Sequence, residues 1–380
     1  MDRIKKFNTN IKKVLRYVRL YGLSRTVYKI LGQKHNKSKD IFTGDVWINL
    51  NCKTQNTPER AVAIIGCGYF AYANIAYYLK KENKLFLRGA MDIDRAKARS
   101  LCDHYGGAYA TTDLDRILND KYIKIVYISS NHSTHADYAI KCIEAGKHVH
   151  IEKPHVVSWE QLNKLEYSIN ANKGVMVFLG FNRPRSYLFK KLLHCLNTQS
   201  GALMINWFVV GHYLDPNHWY YNDQEGGRVL GNLSHWTDAT LHIVGNNNAF
   251  PCQIIPSIPA GAKSDYVVTI NFNDNSSAVI SFSAKGWVSS GVIEVLNLQK
   301  GDLVATIHKF DHLSIDSKDY KKTWKPWFRD QGHRANLLNS YNSAISDKGK
   351  GESTEYIKNT ARLFLGIRDS IELGNTISLD

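Results

Sequence analysis

The pattern of apolar and polar positions divides the chain into stretches of different periodicity. Near the N-terminus apolar side chains recur at intervals of three and four residues, at Ile11, Val14, Leu15 and Val18. This spacing predicts an amphipathic helix. A second, shorter helix is predicted to begin with Ser24 as its N-cap and to end at Gly32. Residues 33–58 are rich in Lys, Asn, Ser and Thr and are predicted to form a linker.

From Arg60 onwards, short apolar runs of strand length alternate with helical patterns. Strands are predicted at 61–65, 85–91, 123–129, 148–151 and 175–179. Helices are predicted at 71–80, 95–104, 133–145 and, after a capping box formed by Ser158 and Gln161, as far as residue 171. Alternation of this kind is typical of a parallel sheet with crossover helices.

After Pro184 the apolar runs become longer and strand-like. They cover 202–210, 266–272, 278–282 and 292–296. Because turn residues at 273–276 separate the second run from the third, these two runs are predicted to form a β-hairpin. Helical patterns return at 334–345 and 356–372. The second half of the chain is therefore predicted to be a separate domain that combines a sheet with helices.

Composition favours a soluble protein of two domains. The 380 residues include 43% hydrophobic side chains, enough for a sizeable core. No apolar run approaches the roughly 18–20 residues of a membrane-spanning helix, and the N-terminus lacks the features of a secretory signal. We therefore expect a cytoplasmic protein. The six cysteines form no C-x-x-C pair and no zinc-ligand cluster, so neither disulfides nor a metal site is expected.

The positive charge is concentrated at the N-terminus. Residues 1–38 contain 11 Lys or Arg and one acid, a net charge of +10, so that +5 of the total of +15 is left for the other 342 residues. The basic segment of residues 1–31 is open to three interpretations: docking on the protein's own body or a sister subunit, contact with an anionic membrane surface, or nucleic-acid binding. Docking is favoured, and nucleic acid is last because aromatic stacking residues and a recognisable binding module are missing.

A glycine-rich turn stands between the first strand of the alternating region and its helix. Its residues are Gly66-Cys67-Gly68-Tyr69-Phe70-Ala71, a match to G-x-G-x-x-(G/A). In a Rossmann fold the first glycine permits the tight turn, and the second lets the backbone approach the pyrophosphate at the helix N-terminus. Asp92 ends the next strand, where a carboxylate accepts hydrogen bonds from ribose hydroxyls. Its charge repels a 2′-phosphate, so NAD is expected rather than NADP, although Arg95 nearby weakens the distinction.

Further motifs resemble those of the glucose-fructose oxidoreductase/inositol dehydrogenase/MocA (Gfo/Idh/MocA) superfamily. In the first half they are Met91–Asp94, Ile128–Ala136 and Gly146–Pro154, in the order that this family uses. In the second half they are Gly180–Ser186, His218-Trp219, Gly226–Gly231, His235 with Asp238, and Asp330–Arg334. The second set, with the basic stretch Val14–Gly22, resembles a subgroup often met in cell-surface polysaccharide loci.

The resemblance implies an α/β fold in three consecutive parts. An extension of residues 1–58 precedes an N-terminal Rossmann dinucleotide-binding domain of residues 59–182. A C-terminal α+β domain of residues 183–380 follows, with a large, open and mostly antiparallel sheet. Relatives are commonly dimers or tetramers built through this sheet, so a homo-oligomer is expected.

The resemblance also implies an NAD-dependent dehydrogenase in which Lys153 and His235 flank the substrate carbinol beside the nicotinamide. Oxidation of an alcohol requires a group that accepts the hydroxyl proton as hydride leaves carbon. His235 is favoured as this base and Lys153 as the group that orients the oxygen or relays the proton, and the division between them stays open. The implied cofactor contacts are Gly66, Gly68, Tyr69, Phe70, Asp92, Ser129, Ser130, Asn131, His132, His135, Glu152, Lys153 and Asn182.

One departure from the family pattern bears on the mechanism. Many relatives have an acid four residues before the catalytic histidine, and here that position is Gly231. The next residue, where this subgroup often has Glu, is Asn232, which does not take a proton at neutral pH. This puts a Lys/Asp/His relay in doubt and leaves a Lys/His pair. A non-catalytic NAD-binding protein stays as the rival interpretation.

The substrate is expected to be anionic, because the resemblance places arginines near the cleft between the domains. A nucleotide-activated sugar oxidised at a ring hydroxyl is favoured, and a free sugar or inositol is the alternative. His218 and Trp219 either stack on the sugar or belong to a domain interface. The predicted substrate residues are Arg183, Arg185, His218, Trp219, Arg228 and Asn232.

Overall fold

The computed structural model describes residues 2–39, 44–50, 52, 59–257, 264–287, 291–346 and 349–380. Its backbone groups into two compact units. The Rossmann unit contains Val27–Gly180 and Arg334–Lys358, and the sheet unit contains Met1–Thr26, Phe181–His333 and Asn359–Asp380. Both units are discontinuous in sequence, whereas the expected boundaries after residues 58 and 182 give consecutive segments. The difference arises because helices distant in sequence pack on each sheet.

Two helices form the N-terminal segment, α1 (Asp2–Tyr21) and α2 (Leu23–His35). Both are predicted from the sequence, but α2 continues through Gly32 instead of ending there. A Cβ at Gly32 would lie 3.1 Å from the Cβ of Ala73, so the missing side chain lets α2 approach the helix after the glycine-rich turn. The expected linker is thus helical as far as His35. Its residues 40–43, 51 and 53–58 lie outside the described residues.

The last turn of α1 contacts the sheet unit. The carbonyl of Leu20 accepts a hydrogen bond from the backbone N–H of Arg329 at 2.8 Å. A Cβ at Gly22 would lie 3.4 Å from the ring of Phe328. These contacts place the end of α1 on the protein's own body, which is the favoured interpretation of the basic segment.

The Rossmann unit contains a seven-stranded sheet. Its strands are β1 (Val46–Ile48), β2 (Val62–Ile65), β3 (Leu87–Met91), β4 (Tyr109–Thr111), β5 (Ile125–Ile128), β6 (His148–Ile151) and β7 (Val177–Leu179). The order is β1-β4-β3-β2-β5-β6-β7, and all neighbours are parallel except β1 and β4. The parallel sheet predicted from the alternation is therefore confirmed, with β1 and β4 as strands that the pattern missed.

The helices that follow α2 connect the strands of both units. They are α3 (Tyr77–Glu82), α4 (Arg95–Tyr105), α5 (Leu114–Leu118), α6 (His135–Glu144), α7 (Trp159–Ala171), α8 (Tyr187–Leu196), α9 (Ser234–Val244), α10 (His333–Ser346) and α11 (Thr354–Leu373). A π-helical turn, Ala71–Ala76, precedes α3, where an α-helix was expected. At α7 the Ser158 side chain accepts from the N–H of Gln161, as a capping box requires.

Helix α10 completes the core of the Rossmann unit. Leu337, Leu338 and Tyr341 belong to the same buried cluster as the side chains of β2 and β3. The hydroxyl of Tyr127 on β5 donates a hydrogen bond to the carbonyl of Leu337 at 2.9 Å. These contacts assign to the Rossmann unit a helix that the sequence-based boundaries leave in the C-terminal domain.

The sheet unit contains nine strands. They are β8 (Leu203–His212), β9 (Cys252–Pro256), β10 (Asp265–Phe272), β11 (Ser277–Gly286), β12 (Ile293–Lys300), β13 (Leu303–His308), β14 (His312–Asp316), β15 (Lys321–Trp324) and β16 (Ile377–Leu379). The order is β15-β14-β13-β12-β8-β11-β10-β9-β16, and only β8 and β11 are parallel. The expected mostly antiparallel sheet is confirmed, and β10 and β11 form the predicted hairpin.

One face of this sheet is buried and the other is open. On β8 the buried side chains, such as Trp207, alternate with exposed ones, such as Met204 and Phe208. This alternation is typical of an antiparallel sheet covered on one side. None of the helices in the described part of the chain combines the length and apolarity that crossing a membrane requires.

Two substitutions on β8 test this assignment of faces. Trp207→Ala is expected to lower the free energy of unfolding by about 3–5 kcal/mol, because it removes a fully buried indole and leaves a cavity. Met204 is 64% exposed, so Met204→Ala is expected to change the free energy of unfolding by less than about 0.5 kcal/mol. Urea denaturation followed by circular dichroism measures both. Equal losses in the two variants would contradict the assignment.

Candidate active site

The glycine-rich turn occupies the carboxyl end of β2. Gly66 has a φ of 81°, and a Cβ there would lie 2.3 Å from the backbone nitrogen of Ser130. No other residue fits this position without moving the backbone. Gly68 differs, because a Cβ there meets no described atom within 4 Å. The first glycine is thus required by the fold, and the second leaves an open approach to the backbone.

Asp92 holds the glycine-rich turn from the end of β3. Its Oδ2 accepts a hydrogen bond from the backbone N–H of Cys67 at 2.6 Å, and its Oδ1 accepts one from the N–H of Asp94 at 2.8 Å. Each carboxylate oxygen has a second lone pair that is available to a ribose hydroxyl. The Arg95 guanidinium donates to the carbonyl of Gly44 at 2.5 Å. One guanidinium nitrogen of Arg95, Nη1, is therefore engaged with the backbone.

These features fit the adenosine and pyrophosphate portions of a dinucleotide. The cradle at Gly66 excludes a side chain, the space beside Gly68 is open, and a carboxylate stands at the end of β3. NAD would be held by the turn and by Asp92, and it supplies an acceptor for hydride.

Tyr69 and Phe70, predicted as cofactor contacts, are involved in packing. The Tyr69 ring lies 3.1 Å from the position of a Cβ at Gly32, so it covers α2. Phe70 packs against the hydrophobic core of the Rossmann unit. The rings of Tyr69 and Phe70 thus pack on neighbouring parts of the Rossmann unit. A dinucleotide fingerprint does not distinguish these packing roles, because both positions are variable in it.

The loop after β5 is fastened by hydroxyl side chains. Ser129 Oγ donates to the carbonyl of Gly66 at 2.8 Å, which joins this loop to the glycine-rich turn. Thr134 Oγ1 donates to Ser130 Oγ at 2.8 Å. Asn131 between them is exposed. The predicted residues Ser129 and Ser130 thus lie beside the turn, and their contacts shape the loop.

His135 lies between two backbone carbonyls. Its Nδ1 is 2.8 Å from the oxygen of Pro154 and its Nε2 is 3.0 Å from the oxygen of Ser130. Burial lowers the pKa of His135, so the ring is neutral at neutral pH. His132 is buried beside it, with the ring centroids 6.0 Å apart. Both ring nitrogens of His135 thus face the loops after β5 and β6, at the edge of the sheet where the nicotinamide contact is predicted.

Glu152 and Lys153 follow β6 directly. Glu152 is buried, and a Cβ at Gly180 would lie 2.7 Å from its carboxyl carbon. His150 Nε2 is 3.7 Å from Glu152 Oε1, and its Nδ1 is 3.0 Å from the hydroxyl of Ser340 on α10. Lys153 is half-buried, and its peptide bond with the next residue, Pro154, is cis. The two predicted residues are thus at the carboxyl edge of the parallel sheet, where doubly wound folds bind ligands.

In the sheet unit, His235 lies in the first turn of α9. A π-helical turn, Val229–Leu233, precedes α9, and such turns are frequent at functional sites. The His235 ring meets that of Phe181 edge to face, with the centroids 6.1 Å apart. Asp238 is buried and accepts from the hydroxyl of Thr360 at 3.1 Å. His235 is therefore held in a half-buried position by aromatic packing and by the start of its helix.

Arg183, predicted to contact the substrate, and Asn182, predicted to contact the cofactor, both belong to a buried polar network. Arg183 is 6% exposed, and its Nε donates to Glu294 Oε2 at 3.0 Å. Trp236 Nε1 donates to the same oxygen, and Gln331 Nε2 donates to Oε1 at 2.5 Å. Asn182 Nδ2 donates to the carbonyl of Gln331 at 2.6 Å. The carboxylate of Glu294, which the sequence reasoning missed, receives these donors because burial requires them.

Arg228 is buried without a carboxylate partner among the described residues. It is 3% exposed, and its Nη2 donates to the carbonyl of His212 at 2.9 Å. Its guanidinium lies 5.5 Å from the ring centroid of Phe282. In the part of the chain that the structure describes, its Nε has no hydrogen-bond acceptor. Burial lowers the pKa of Arg228, with nearby tyrosines opposing the effect.

The remaining predicted substrate residues lie in turns of the sheet unit. His218 caps the short 3-10 turn Trp219–Tyr221, and its Nδ1 accepts from the N–H of Tyr220 at 3.3 Å. The rings of His218 and Trp219 stack at 5.7 Å. Asn232 lies in the π-helical turn, and its buried Oδ1 has no donor among the described residues. Arg185 is half-buried, and its charge contributes, after burial, to the lowered pKa of His242.

Cysteines and possible metal ligands form no cluster in the described part of the chain. All six cysteines are buried free thiols, and burial raises the pKa of Cys67 well above its ordinary value. Among the described residues no three His, Cys, Asp or Glu side chains are grouped so that they could hold a metal ion.

Comparisons with known proteins agree with this description. Residues 60–181 match the Gfo/Idh/MocA model, an oxidoreductase family with an NAD-binding Rossmann fold. The chain is 28% identical to the uncharacterized oxidoreductase sll0816 of Synechocystis sp. over 193 residues, 49% of this chain and 51% of that protein. It is 29% identical to myo-inositol 2-dehydrogenase of Thermotoga maritima over 185 residues, 48% of this chain and 54% of that protein. The matched regions span about half the length of these relatives.

A solved structure is similar in fold to most of the chain. Levoglucosan dehydrogenase in complex with NADH and levoglucosan has a TM-score of 0.71 and 16% identity, over 84% of this chain and 98% of that one. At this identity the likeness concerns the fold alone. It agrees with the combination of a parallel Rossmann sheet and a mostly antiparallel second sheet.

The two glycines of the turn are expected to respond differently to the same substitution. Gly66→Ala forces a Cβ into the backbone of Ser130, so both thermal stability without cofactor and NAD affinity are expected to fall. Gly68→Ala is expected to keep the thermal stability of the free protein and to weaken NAD binding by about tenfold or more, because the methyl group enters the open approach. Calorimetric titration with NAD and differential scanning calorimetry measure the two effects.

Gly174 provides the matched control, because a Cβ there also meets no described atom within 4 Å and it lies far from the turn in sequence. Gly174→Ala is expected to bind NAD as the wild type does. Unchanged NAD affinity in Gly68→Ala would contradict the assignment of the turn.

Proposed function

We propose a dehydrogenase function for this chain, which belongs to the Gfo/Idh/MocA oxidoreductase family and has its NAD-binding Rossmann fold. The proposed reaction oxidises a ring hydroxyl of a sugar by hydride transfer to the nicotinamide of NAD. The proposed substrate is a nucleotide-activated sugar used in the biosynthesis of cell-surface polysaccharide. A free sugar or inositol is the alternative within the same reaction class.

The observation that supports an anionic substrate most directly is Arg228. A guanidinium that is 3% exposed and lacks a carboxylate partner among the described residues is costly to bury. A phosphate or carboxylate of the substrate would offset this cost through charge-assisted hydrogen bonds. Asn232, four residues later, has a buried oxygen without a donor in the described part of the chain, which suits a sugar hydroxyl. Both residues stand on the segment that leads into α9 and His235.

The proposed proton transfer involves His235 and Lys153. His235 accepts the proton of the substrate hydroxyl, since a histidine is able to act as a base near neutral pH. Lys153 orients the hydroxyl oxygen or relays the proton. Gly231 stands where many relatives have an acid, Asn232 stands where the subgroup often has Glu, and an amide does not take a proton at neutral pH. The relay through a carboxylate is therefore not part of the proposal.

The names of the relatives support a polyhydroxylated substrate. One is called myo-inositol 2-dehydrogenase and another was solved with levoglucosan and NADH. The nucleotide moiety and the polysaccharide setting rest on the resemblance of the second-half motifs and on the charge of Arg228.

Location and assembly are further parts of the proposal. The open face of the nine-stranded sheet exposes Met204, Phe208 and Val304, which supports a homo-oligomer, a dimer or tetramer, assembled through this face. We propose a cytoplasmic enzyme. Ile11 and Leu15 are exposed on the basic helix α1 and support additional contact with an anionic membrane surface, which co-sedimentation with anionic liposomes tests.

Replacement of Arg228 is expected to lower activity with anionic substrates more than activity with neutral ones. Arg228→Gln removes the charge and is expected to lower kcat/KM for a UDP-sugar by about 100-fold, while activity with inositol falls much less. Steady-state NADH absorbance with each substrate measures the ratio. Lys322→Gln, which removes an exposed charge of the same unit, is the control and is expected to behave as wild type. An equal loss with both substrates would contradict an anion-binding role.

Replacement of the two proposed catalytic residues tests the reaction itself. Lys153→Ala and His235→Ala are each expected to lower kcat by about 10²–10⁴-fold, because each removes a group that handles the hydroxyl proton. His235→Ala is expected to leave the Kd for NAD unchanged. The purified protein is incubated with NAD and a panel of nucleotide sugars, free sugars and inositols, and the product is identified by mass. A keto product two hydrogens lighter than one substrate, and missing in the variants, supports the proposal.

If the protein binds NAD but converts none of the nucleotide sugars, free sugars and inositols, a non-catalytic NAD-binding protein would be favoured.

A further inference from the structure

His35 is a buried histidine at the end of α2, outside the region that the family model covers. It belongs to the Rossmann unit and is 3% exposed, although the sequence predicts a linker at this position. Its ring stacks on that of Tyr72, with the centroids 4.4 Å apart and the planes at 22°. Tyr72 lies in the π-helical turn that follows the glycine-rich turn. His35 is thus packed directly against the element that begins the dinucleotide fold.

Both ring nitrogens of His35 have hydrogen-bond partners, and these partners define the tautomer. Nε2 is 2.7 Å from the backbone oxygen of Cys67, the residue between the two glycines of the turn. A carbonyl oxygen only accepts, so Nε2 has the proton and donates. Nδ1 is 2.9 Å from the hydroxyl of Ser100 on α4 and accepts from it. Burial lowers the pKa of His35, which favours this neutral ring with one donor and one acceptor.

The contact with Cys67 determines the direction of the next backbone amide. In a planar trans peptide the C=O and the following N–H point in opposite directions. Because the carbonyl of Cys67 points at His35, the N–H of Gly68 points away from it. The N–H of Cys67 is held separately by Asp92 at 2.6 Å. Both backbone groups of Cys67, which belong to successive peptides, are therefore held by side chains. A Gly68 Cβ would meet no described atom within 4 Å.

The position of His35 is itself well supported. A Cβ at Gly32, one turn earlier, would lie 3.1 Å from the Tyr69 ring and 3.1 Å from the Cβ of Ala73, so the missing side chain lets α2 pack closely there. Leu31 and Tyr28 pack against the core of the Rossmann unit. The ring of His35 is thus attached to a helix that cannot shift without disturbing this packing.

We propose that His35 is a positioning residue of the dinucleotide site. It holds the Cys67 carbonyl so that the Gly68 amide is aimed at the pyrophosphate of NAD, in the way that backbone amides of such turns bind phosphate. The segment Val27–His35 is therefore a structural part of the cofactor site and not a separate extension.

Three variants of the full-length chain test this proposal. His35→Phe keeps a ring to stack on Tyr72 but has no donor, and it is expected to raise the Kd for NAD by about tenfold. His35→Gln keeps an N–H at a similar reach and is expected to stay within about threefold of wild type. Gln33→Ala, an exposed site on the same helix, is the control and is expected to bind NAD as wild type does. His35→Leu, also without a donor, replaces the phenylalanine variant if that does not fold.

Calorimetric titration measures NAD binding directly, and the thermal midpoint of the cofactor-free protein shows whether a variant is merely less stable. Hydrogen exchange of residues 66–70 without cofactor reports the order of the turn and is expected to be faster in His35→Phe than in His35→Gln. Wild-type NAD affinity in His35→Phe would overturn the proposal. Equal weakening in His35→Phe and His35→Gln would also overturn it, because the donor would then be irrelevant. Dehydrogenase activity is not needed for any of these readouts, so failure of the proposed reaction is a separate result.

Discussion

The close approach of Gly66 to the backbone of Ser130 determines how the carboxyl edge of the Rossmann sheet is built. A Cβ at Gly66 would come within 2.3 Å of the Ser130 nitrogen, so the turn after β2 and the loop after β5 share a space that only glycine leaves. Once the chain passes through this position, the backbone N–H and C=O of the next residue, Cys67, are held by side chains from two other elements. Asp92 accepts from the N–H of Cys67, and His35 donates to its carbonyl. The conformation of the turn is therefore a property of the whole unit.

Buried charges of the sheet unit illustrate how a partner decides the role of a residue. Arg183 and Arg228 are both nearly inaccessible, and sequence gives no reason to separate them. Arg183 is neutralised by Glu294, 111 residues further along the chain, whose carboxylate also receives the indole of Trp236. Removing either partner of this pair would leave the other buried and unpaired. Arg228 lacks this compensation among the described residues and remains the better candidate for an external anion.

Local periodicity predicted the elements of the Rossmann unit well and those of the sheet unit less well. The strand His148–Ile151 and the helix from Arg95 agree with the pattern because each is short, regular and bounded by turn residues. Helix α9 was missed because it is buried on almost every side, so it has no polar stripe that would mark a helical period. The pattern identified the helix at α10 but not the sheet on which it packs. That information lies in contacts between distant residues such as Tyr127 and Leu337, which no local pattern contains.

The site residues show the same limit, and the two histidines of the Rossmann unit show it most clearly. The family motif predicted His135 at the nicotinamide edge of the sheet, whereas composition wrongly placed His35 in a linker. The ring of each histidine contacts backbone carbonyls at this sheet edge. A neutral imidazole has one N–H. His135 faces two carbonyls and donates to only one of them at a time, whereas His35 faces a carbonyl and a hydroxyl and satisfies both nitrogens together. His35, on the N-terminal helix α2, thus has both ring nitrogens satisfied, whereas His135 does not. The conformation of the glycine-rich turn therefore depends on this helix as well as on the glycines of the fingerprint.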